Sequence, residues 1–316
     1  MENMNRAEKT PLFARTGVVI ALAIVCNALW GSAFPVINLG YRLFDIPSGD
    51  SAAQILFAGV RFFLSGVLTI LFTSIPRKQL VRPKRENLHM VLKLAMLQTV
   101  IQYTLFYTAA ANTSSVRGSI IQGMTAFIAI LVSCYVFGTE KMNRLKWIGG
   151  ALGVLGVIVM NLGKEGLGGG MKLTGEGFLF MSMFVSGCSS GTIRIFSQKE
   201  DPVALSGWQF TLGGLILTGA GLAFGGRLTI SSAAALAVLL YLAALSAIAY
   251  TVWSVLLRYN PVSRIAPFMF LRPIFGVAIS LILYGGTDTP LAQVALALAL
   301  VCASIVVVGK GQRMKA

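Results

Sequence analysis

Apolar and polar stretches alternate along this chain at a fixed scale. Ten apolar runs stand out, at roughly 17–39, 53–75, 90–111, 116–137, 145–162, 176–194, 204–224, 234–257, 262–284 and 290–309. About 20 apolar residues in a helix cross the hydrocarbon core of a bilayer, so each run predicts a membrane-spanning helix. Too little sequence separates the runs to make a soluble domain. The stretch 163–177 carries seven glycines and reads as a flexible link at the midpoint. The first run has no clear small-residue cleavage site and is followed by many more runs, so it reads as an anchor, not a signal peptide.

The two sides of that link resemble each other. AGVRFFLSG (58–66) aligns with SGWQFTLGG (206–214) at an offset of 148. QYTLFYTAAANTSSVRG (102–118) aligns with AYTVWSVLLRYNPVSRI (249–265) at 147, matching Tyr103 to Tyr250, Thr104 to Thr251 and Arg117 to Arg264; Ser133 meets Ser280 at the same offset. Each half has five spans. Five is odd, so the second copy must enter the membrane upside down. The expected fold is therefore all-α and integral to the membrane, ten helices in two inverted five-helix repeats, a plan that recurs in secondary transporters with a binding site near the midplane.

Charge adds orientation. Of 26 Lys and Arg, 19 fall at the two ends of the chain and in or next to every second gap (77–93, 141–146, 194–199 and 258–264), 5 in the alternate gaps, and 2, Arg61 and Arg272, inside apolar runs. This is the positive-inside pattern with both termini cytoplasmic. The expected layout is a cytoplasmic tail 1–16, a first repeat 17–162, an external glycine-rich linker 163–175, a second repeat 176–309 and a cytoplasmic tail 310–316. A multi-pass protein of the plasma (inner) membrane follows, since nothing resembles a transit or retention signal. Hydrophobic residues make up 56% of the chain and charged ones 12%, about half the roughly 25% of soluble domains. The net charge of +15 is then topological; no nucleic-acid-binding motif accompanies it, and no nucleic-acid partner is expected. The four cysteines lie in apolar runs without metal spacing, so neither a metal nor another cofactor is expected. Gly149, Gly153 and Gly156 in the fifth run, and Ala295, Ala299 and Ala303 in the tenth, permit close helix contact and suit a homodimer seam.

Polar groups within spans are costly and mark candidate sites. Arg61 and Arg272 lie mid-span, whereas all eleven Asp and Glu fall in gaps or at span ends. Two cations without a carboxylate between them favour a substrate that carries a carboxylate or phosphate. Satisfaction by backbone carbonyls or by side-chain amides and hydroxyls is the structural alternative. Gln98, Gln102, Tyr103 and Tyr107, with Thr99, spread over half of the third helix; Trp30 with Asn27, Gln122 with Thr125, and Tyr250 with Trp253 add further polar or amphipathic groups. Interhelical hydrogen bonding would equally explain any one of them. Pro35, Pro267 and Pro273 are candidate kinks or hinges.

LWGSAFPVI (29–37), GVRFFLSG (59–66), YTLFYTAAANTS (103–114), FGTEKMNRLKWIGGALGVLGVIVM (137–160) and SRIAPFMFLRPIFGVAISLILYGG (263–286) together resemble the EamA family of the drug/metabolite transporter superfamily. The resemblance implies a central cavity lined by the first, third and fourth helices and their repeat partners. It also implies export or exchange of small metabolites, amino acids or drugs. It places Arg61, Trp30 and Pro273 at family positions. The proline expected near Ala126 is absent, and Arg272 fills a position where similar sequences vary. The expected function is a secondary-active or facilitative transporter working by alternating access, with a small-molecule substrate and the lipid bilayer as partners. The alternatives are an integral-membrane enzyme of lipid or prenyl transfer, or a nucleotide-sugar-type exchanger of the same fold. Such an enzyme usually needs clustered carboxylates or histidine chemistry; the one histidine, His89, sits at a span end, so no enzyme activity is expected.

Overall fold

The computed structural model describes residues 11–47, 49–110, 112–113, 118, 121–162, 172–230, 232–284 and 290–313. Among these residues there is no strand. Ten apolar helices follow one another: α1 (Thr16–Leu43), α2 (Ser51–Arg77), α3 (Arg85–Ala109), α4 (Thr125–Tyr135), α5 (Arg144–Asn161), α6 (Leu173–Phe196), α7 (Pro202–Ala223), α8 (Ala233–Tyr259), α9 (Val262–Ile279) and α10 (Leu291–Gly311). Nine are long and apolar enough to cross a membrane; α4 is shorter, and the predicted run 116–137 lies partly outside the described residues.

Side chains at the helix ends explain where several helices start. Asp50 accepts a hydrogen bond from the Ala53 amide ahead of α2, Asn143 from Lys146 ahead of α5, Asp201 from Val203 ahead of α7 and Ser232 from Ala235 ahead of α8. Each satisfies an amide that the helix itself cannot. α6 begins at Leu173, ahead of the predicted 176, because Glu176 turns back to accept from the Lys172 amide at 2.9 Å and from Thr113 Oγ1 at 2.7 Å. Of the predicted linker, 163–171 lies outside the described residues.

The packing repeats itself between the halves. α2 lies against α7, and α5 against α10, each pair uniting equivalent helices. α1 packs on α8 and α9 as α6 packs on α3 and α4, and the α2–α8 contact has its counterpart in α7–α3. Exchanging the two five-helix repeats therefore maps these contacts onto one another. Large apolar side chains such as Phe72, Leu215 and Leu291 are exposed on the outside of the bundle, where acyl chains take the place of a protein core.

The α2–α7 pair is close because glycines line it. A Cβ on Gly66 would lie 2.3 Å from the Thr211 nitrogen, and one on Gly214 2.2 Å from the Phe63 nitrogen. Neither neighbour is a side chain that can turn away. Gly214→Ala is expected to destabilise the bundle by about 1–3 kcal/mol through overpacking, measured as thermal unfolding in detergent. Gly219 on the same helix has nothing within 4 Å of its would-be Cβ, so Gly219→Ala is the control; equal melting temperatures for the two variants would refute the seam.

The expectation of a dimer seam needs correction for the glycines of α5. Gly149 meets Ser304 and Val308, and Gly156 meets Ala297 and Val301, all within this chain, while Gly153 abuts the Phe270 ring. Ser304 Oγ donates to the Gly149 carbonyl at 2.6 Å. Ala295 and Ala299 stay exposed. The glycines of α5 are thus occupied by α10 and α9, because close helix contact was needed between the two repeats.

Candidate functional site

The repeat alignment places Tyr103 opposite Tyr250 and Phe62 opposite Phe210, and in the fold each meets its own counterpart. The two tyrosine hydroxyls hydrogen-bond at 2.6 Å. The Phe62 and Phe210 rings stack with centroids 5.2 Å apart and planes 9° from parallel. Phe62 lies 4.5 Å from the Tyr103 ring, and Phe210 4.8 Å from the Tyr250 ring. Four rings from α2, α3, α7 and α8 thus form one aromatic centre between the halves.

The two arginines flank it. Arg61 on α2 is 3% exposed. Its guanidinium carbon sits 4.3 Å from the Phe62 centroid and 6.0 Å from that of Tyr103, and the phenols of Tyr107, Tyr250 and Tyr41 also face it. Its Nε is buried without a hydrogen-bond partner, and no carboxylate pairs with it among the described residues. A desolvated cation surrounded by ring faces and phenols, without a carboxylate counter-charge, leaves room for an anion to complete its shell.

Arg272 is held differently. Its Nε donates to Asn27 Oδ1 at 2.9 Å, and its guanidinium carbon lies 4.1 Å from the Trp30 ring centroid. Asn27 is itself oriented by donating from Nδ2 to the Ala23 carbonyl at 2.7 Å. α1 and α9 come this close because residue 31 is glycine: a Cβ there would lie 2.5 Å from Phe275 Cβ and 2.9 Å from the Arg272 carbonyl oxygen. Trp30 meets Tyr250 and Trp253 edge to face at 5.0 and 5.2 Å, and its Nε1 is buried without a partner. Asn27 supplies the side-chain amide of the structural alternative, and the Trp30 ring face adds a contact that the sequence does not suggest.

The remaining candidates divide. Tyr107 is buried beside the centre, 6.1 Å from the Tyr103 ring. Gln102 is half-buried with an unpartnered Oε1, and its backbone carbonyl accepts from Ser182 Oγ at 2.8 Å. Gln98 is engaged by α7, its Oε1 accepting from Gln209 Nε2 at 3.0 Å, while Thr99 donates to Gln209 Oε1 at 2.9 Å. Both lie in the π-helical stretch Ala95–Ile101, where the regular turn expected for the third helix is broken. Gln122 is half-buried, and its carbonyl accepts from Thr125, which also reaches the Met183 sulfur. Pro35 lies within α1, Pro267 opens a tight 3-10 stretch (Ala266–Leu271) and Pro273 begins the helical segment Arg272–Tyr284. Tyr41, Phe62, Phe210 and Gln209 were not singled out in the sequence, although the repeat alignment of Phe62 with Phe210 carried the signal. Among the described residues no group of three His, Cys, Asp or Glu is placed to hold a metal.

At the arginine- and lysine-rich end a second polar cluster joins the halves. Glu140, between α4 and α5, accepts from Lys146 Nζ at 2.9 Å, Ser133 Oγ at 3.1 Å, the Ser263 amide at 3.1 Å and Ser263 Oγ. Lys146 and Ser133 belong to the first half, Ser263 to the second. The Glu140 and Lys146 side chains are 7% and 5% exposed. Burial by itself would raise the Glu140 pKa, but the Ser263 and Lys146 hydrogen bonds and the ammonium charge outweigh it and hold the carboxyl below its ordinary range.

Comparison with known proteins gives consistent results. The model of the EamA-like transporter family matches residues 17–162 and 173–309. A protein of Salmonella typhimurium named "Probable amino-acid metabolite efflux pump" is 27% identical over 85% of this chain and 87% of its own length; its Escherichia coli namesake is 28% identical over 84% and 86%. An uncharacterized inner membrane transporter of Escherichia coli, YedA, is 30% identical over 48% of this chain and 44% of its own. A solved crystal structure superposes with a TM-score of 0.75 over 96% of this chain and 100% of its own at 14% identity, a likeness of fold alone.

Proposed function

This chain belongs to the EamA-like transporter family, and on that premise we propose that it exports or exchanges small carboxylate-bearing metabolites by alternating access. That it is a membrane transporter is common ground with its relatives. The observation that supports the finer reading is the pair of buried arginines on either side of one aromatic centre, with no carboxylate beside either among the described residues. A substrate carboxylate would supply the missing counter-charge, with charge-assisted hydrogen bonds about twice as strong as neutral ones. Trp30, Tyr103 and Tyr250 would form the apolar walls. In this reading Gln102 and Tyr107 line the same space, and Pro35, Pro267 and Pro273 permit the helices to flex.

The inverted repeat supports alternating access, since swapping the conformations of equivalent halves turns a site open on one side into one open on the other. Glu140 and Ser263 join the halves at one end and would have to part when that end opens. The positive-inside count supports an inner-membrane orientation with both termini cytoplasmic. Lack of an acid beside the arginines among the described residues favours exchange or facilitated efflux over coupling through a buried carboxylate.

The test is counterflow in proteoliposomes preloaded with amino acids, their carboxylate metabolites, or amines of matched size. Exchange of the carboxylate-bearing compounds, undiminished by an uncoupler, is expected. Exchange of amines alone would overturn the substrate class, and loss of all exchange with an uncoupler would overturn the mode.

A further inference from the structure

We propose that a cleft at the Lys- and Arg-rich end of the bundle is a binding site for the headgroup of an anionic phospholipid. The inference rests on the cleft itself, independently of the transported substrate. The cleft encloses about 470 Å³ where the end of α2, the α6–α7 connection and the end of α8 converge.

Its charge is not balanced internally. Arg77, Lys84, Lys199 and Arg258 line it together with Glu200 and Asp201. Both acids are already engaged by the fold. Glu200 accepts from the Lys84 amide at 2.9 Å, from Asn87 Nδ2 at 2.8 Å and from the Asp201 amide at 3.0 Å. These bonds hold its carboxyl below the ordinary range although burial pushes the other way. Asp201 accepts from the Val203 amide and pairs with Arg77. That leaves the Lys199 and Arg258 side chains with no acid in contact among the described residues, and the Lys84 ammonium sharing a carboxylate already bonded three times. The cleft therefore carries excess positive charge at a fixed place.

Its floor and edge suit a lipid better than a free anion. Val203 and Val255 form the floor, in an apolar cluster with Val81 and Ala204. Phe13 stacks on Tyr259 at 5.9 Å along one edge. Trp208, whose Nε1 donates to the Val81 carbonyl at 2.9 Å, stands beside the same cluster. Aromatic residues at this level mark the membrane–water boundary. A phosphate diester would meet cations at the rim while its glycerol and first methylenes lie on the valines. Basic clefts between helices at this level are suited to anionic headgroups, and each cation near the surface contributes about fivefold in affinity.

The experiment titrates the detergent-purified full chain with phosphatidylglycerol, phosphatidylcholine and inorganic phosphate, reading bound lipid by native mass spectrometry and melting temperature. The expected result is retention of phosphatidylglycerol and a rise in melting temperature, neither with phosphatidylcholine nor with phosphate. In the Lys84→Gln, Lys199→Gln, Arg258→Gln triple variant, affinity for phosphatidylglycerol should fall on the order of 100-fold. Should that variant not fold, Lys199→Gln alone is expected to cost about fivefold. Undiminished phosphatidylglycerol binding in the variant, equal retention of phosphatidylcholine, or an equal shift with inorganic phosphate would each overturn the proposal.

Discussion

Arg61→Met is expected to leave the protein at least as stable as before while lowering transport of a carboxylate substrate on the order of 100-fold. The two effects point in opposite directions for one reason. Arg61 is 3% exposed, touches ring faces, and has an unpartnered Nε. Its burial costs the fold desolvation energy that no acid returns, and apolar replacement of buried charge is often neutral or stabilising. Methionine keeps most of the volume and adapts to irregular gaps. A substrate carboxylate, by contrast, loses a charge-assisted contact in a desolvated site, worth about 2–5 kcal/mol when truncated. Arg61→Lys keeps the charge but not the planar fork, so transport should recover only in part. The measurements are melting temperature and initial counterflow rate on the same preparations. Unchanged transport in Arg61→Met would remove Arg61 from the site, and a parallel loss of stability and transport would make it a structural residue.

Glu140→Ala should be the most destabilising single substitution considered. It leaves the Lys146 ammonium, 5% exposed, without its counter-ion, and strips acceptors from Ser133 and from both donors of Ser263. Breaking a buried pair on one side costs about 3–5 kcal/mol. Glu140→Gln combined with Lys146→Met removes both charges and should recover much of that loss; a double variant as unstable as Glu140→Ala would contradict the account. The pH dependence follows with a definite sign. A carboxyl whose pKa is lowered by folding contributes stability that is fully present above its unfolded value of about 4.3 and is lost as pH falls through the folded value. Melting temperature should therefore be flat in this group's contribution from about pH 6 to 8 and fall in acid, and the acid fall should be smaller in Glu140→Gln.

Much of this architecture can be read from the chain because a bilayer imposes period and length together. Each span must be apolar for about 20 residues, so ten runs appear plainly, and Arg61 and Arg272 stand out as the cations that the gaps do not contain. The 147-residue offset pairs Tyr103 with Tyr250, and those hydroxyls meet at 2.6 Å. Other features depend on geometry without periodic trace. Gln98 and Thr99 meet Gln209 from the π-helical turn Ala95–Ile101, and no composition rule marks that turn. Asn27 becomes the partner of Arg272 only because Gly31 lets α9 approach α1. Glu140 sits in a gap like any other acid, and its ties to Ser133, Lys146 and Ser263 come from three separate segments. Local pattern finds the elements; contacts between distant segments remain hidden.

The aromatic centre has a further consequence. Tyr103 and Tyr250, like Phe62 and Phe210, are partners of themselves under exchange of the repeats, so a transition that swaps the two halves returns these contacts unchanged. They are stationary points of the cycle, about which the rest turns. Glu140 and Ser263 have no such property, since exchange sends that pair to other residues. A distance probe at the tyrosine pair should thus stay silent through turnover, while one across Glu140 and Ser263 should report each opening.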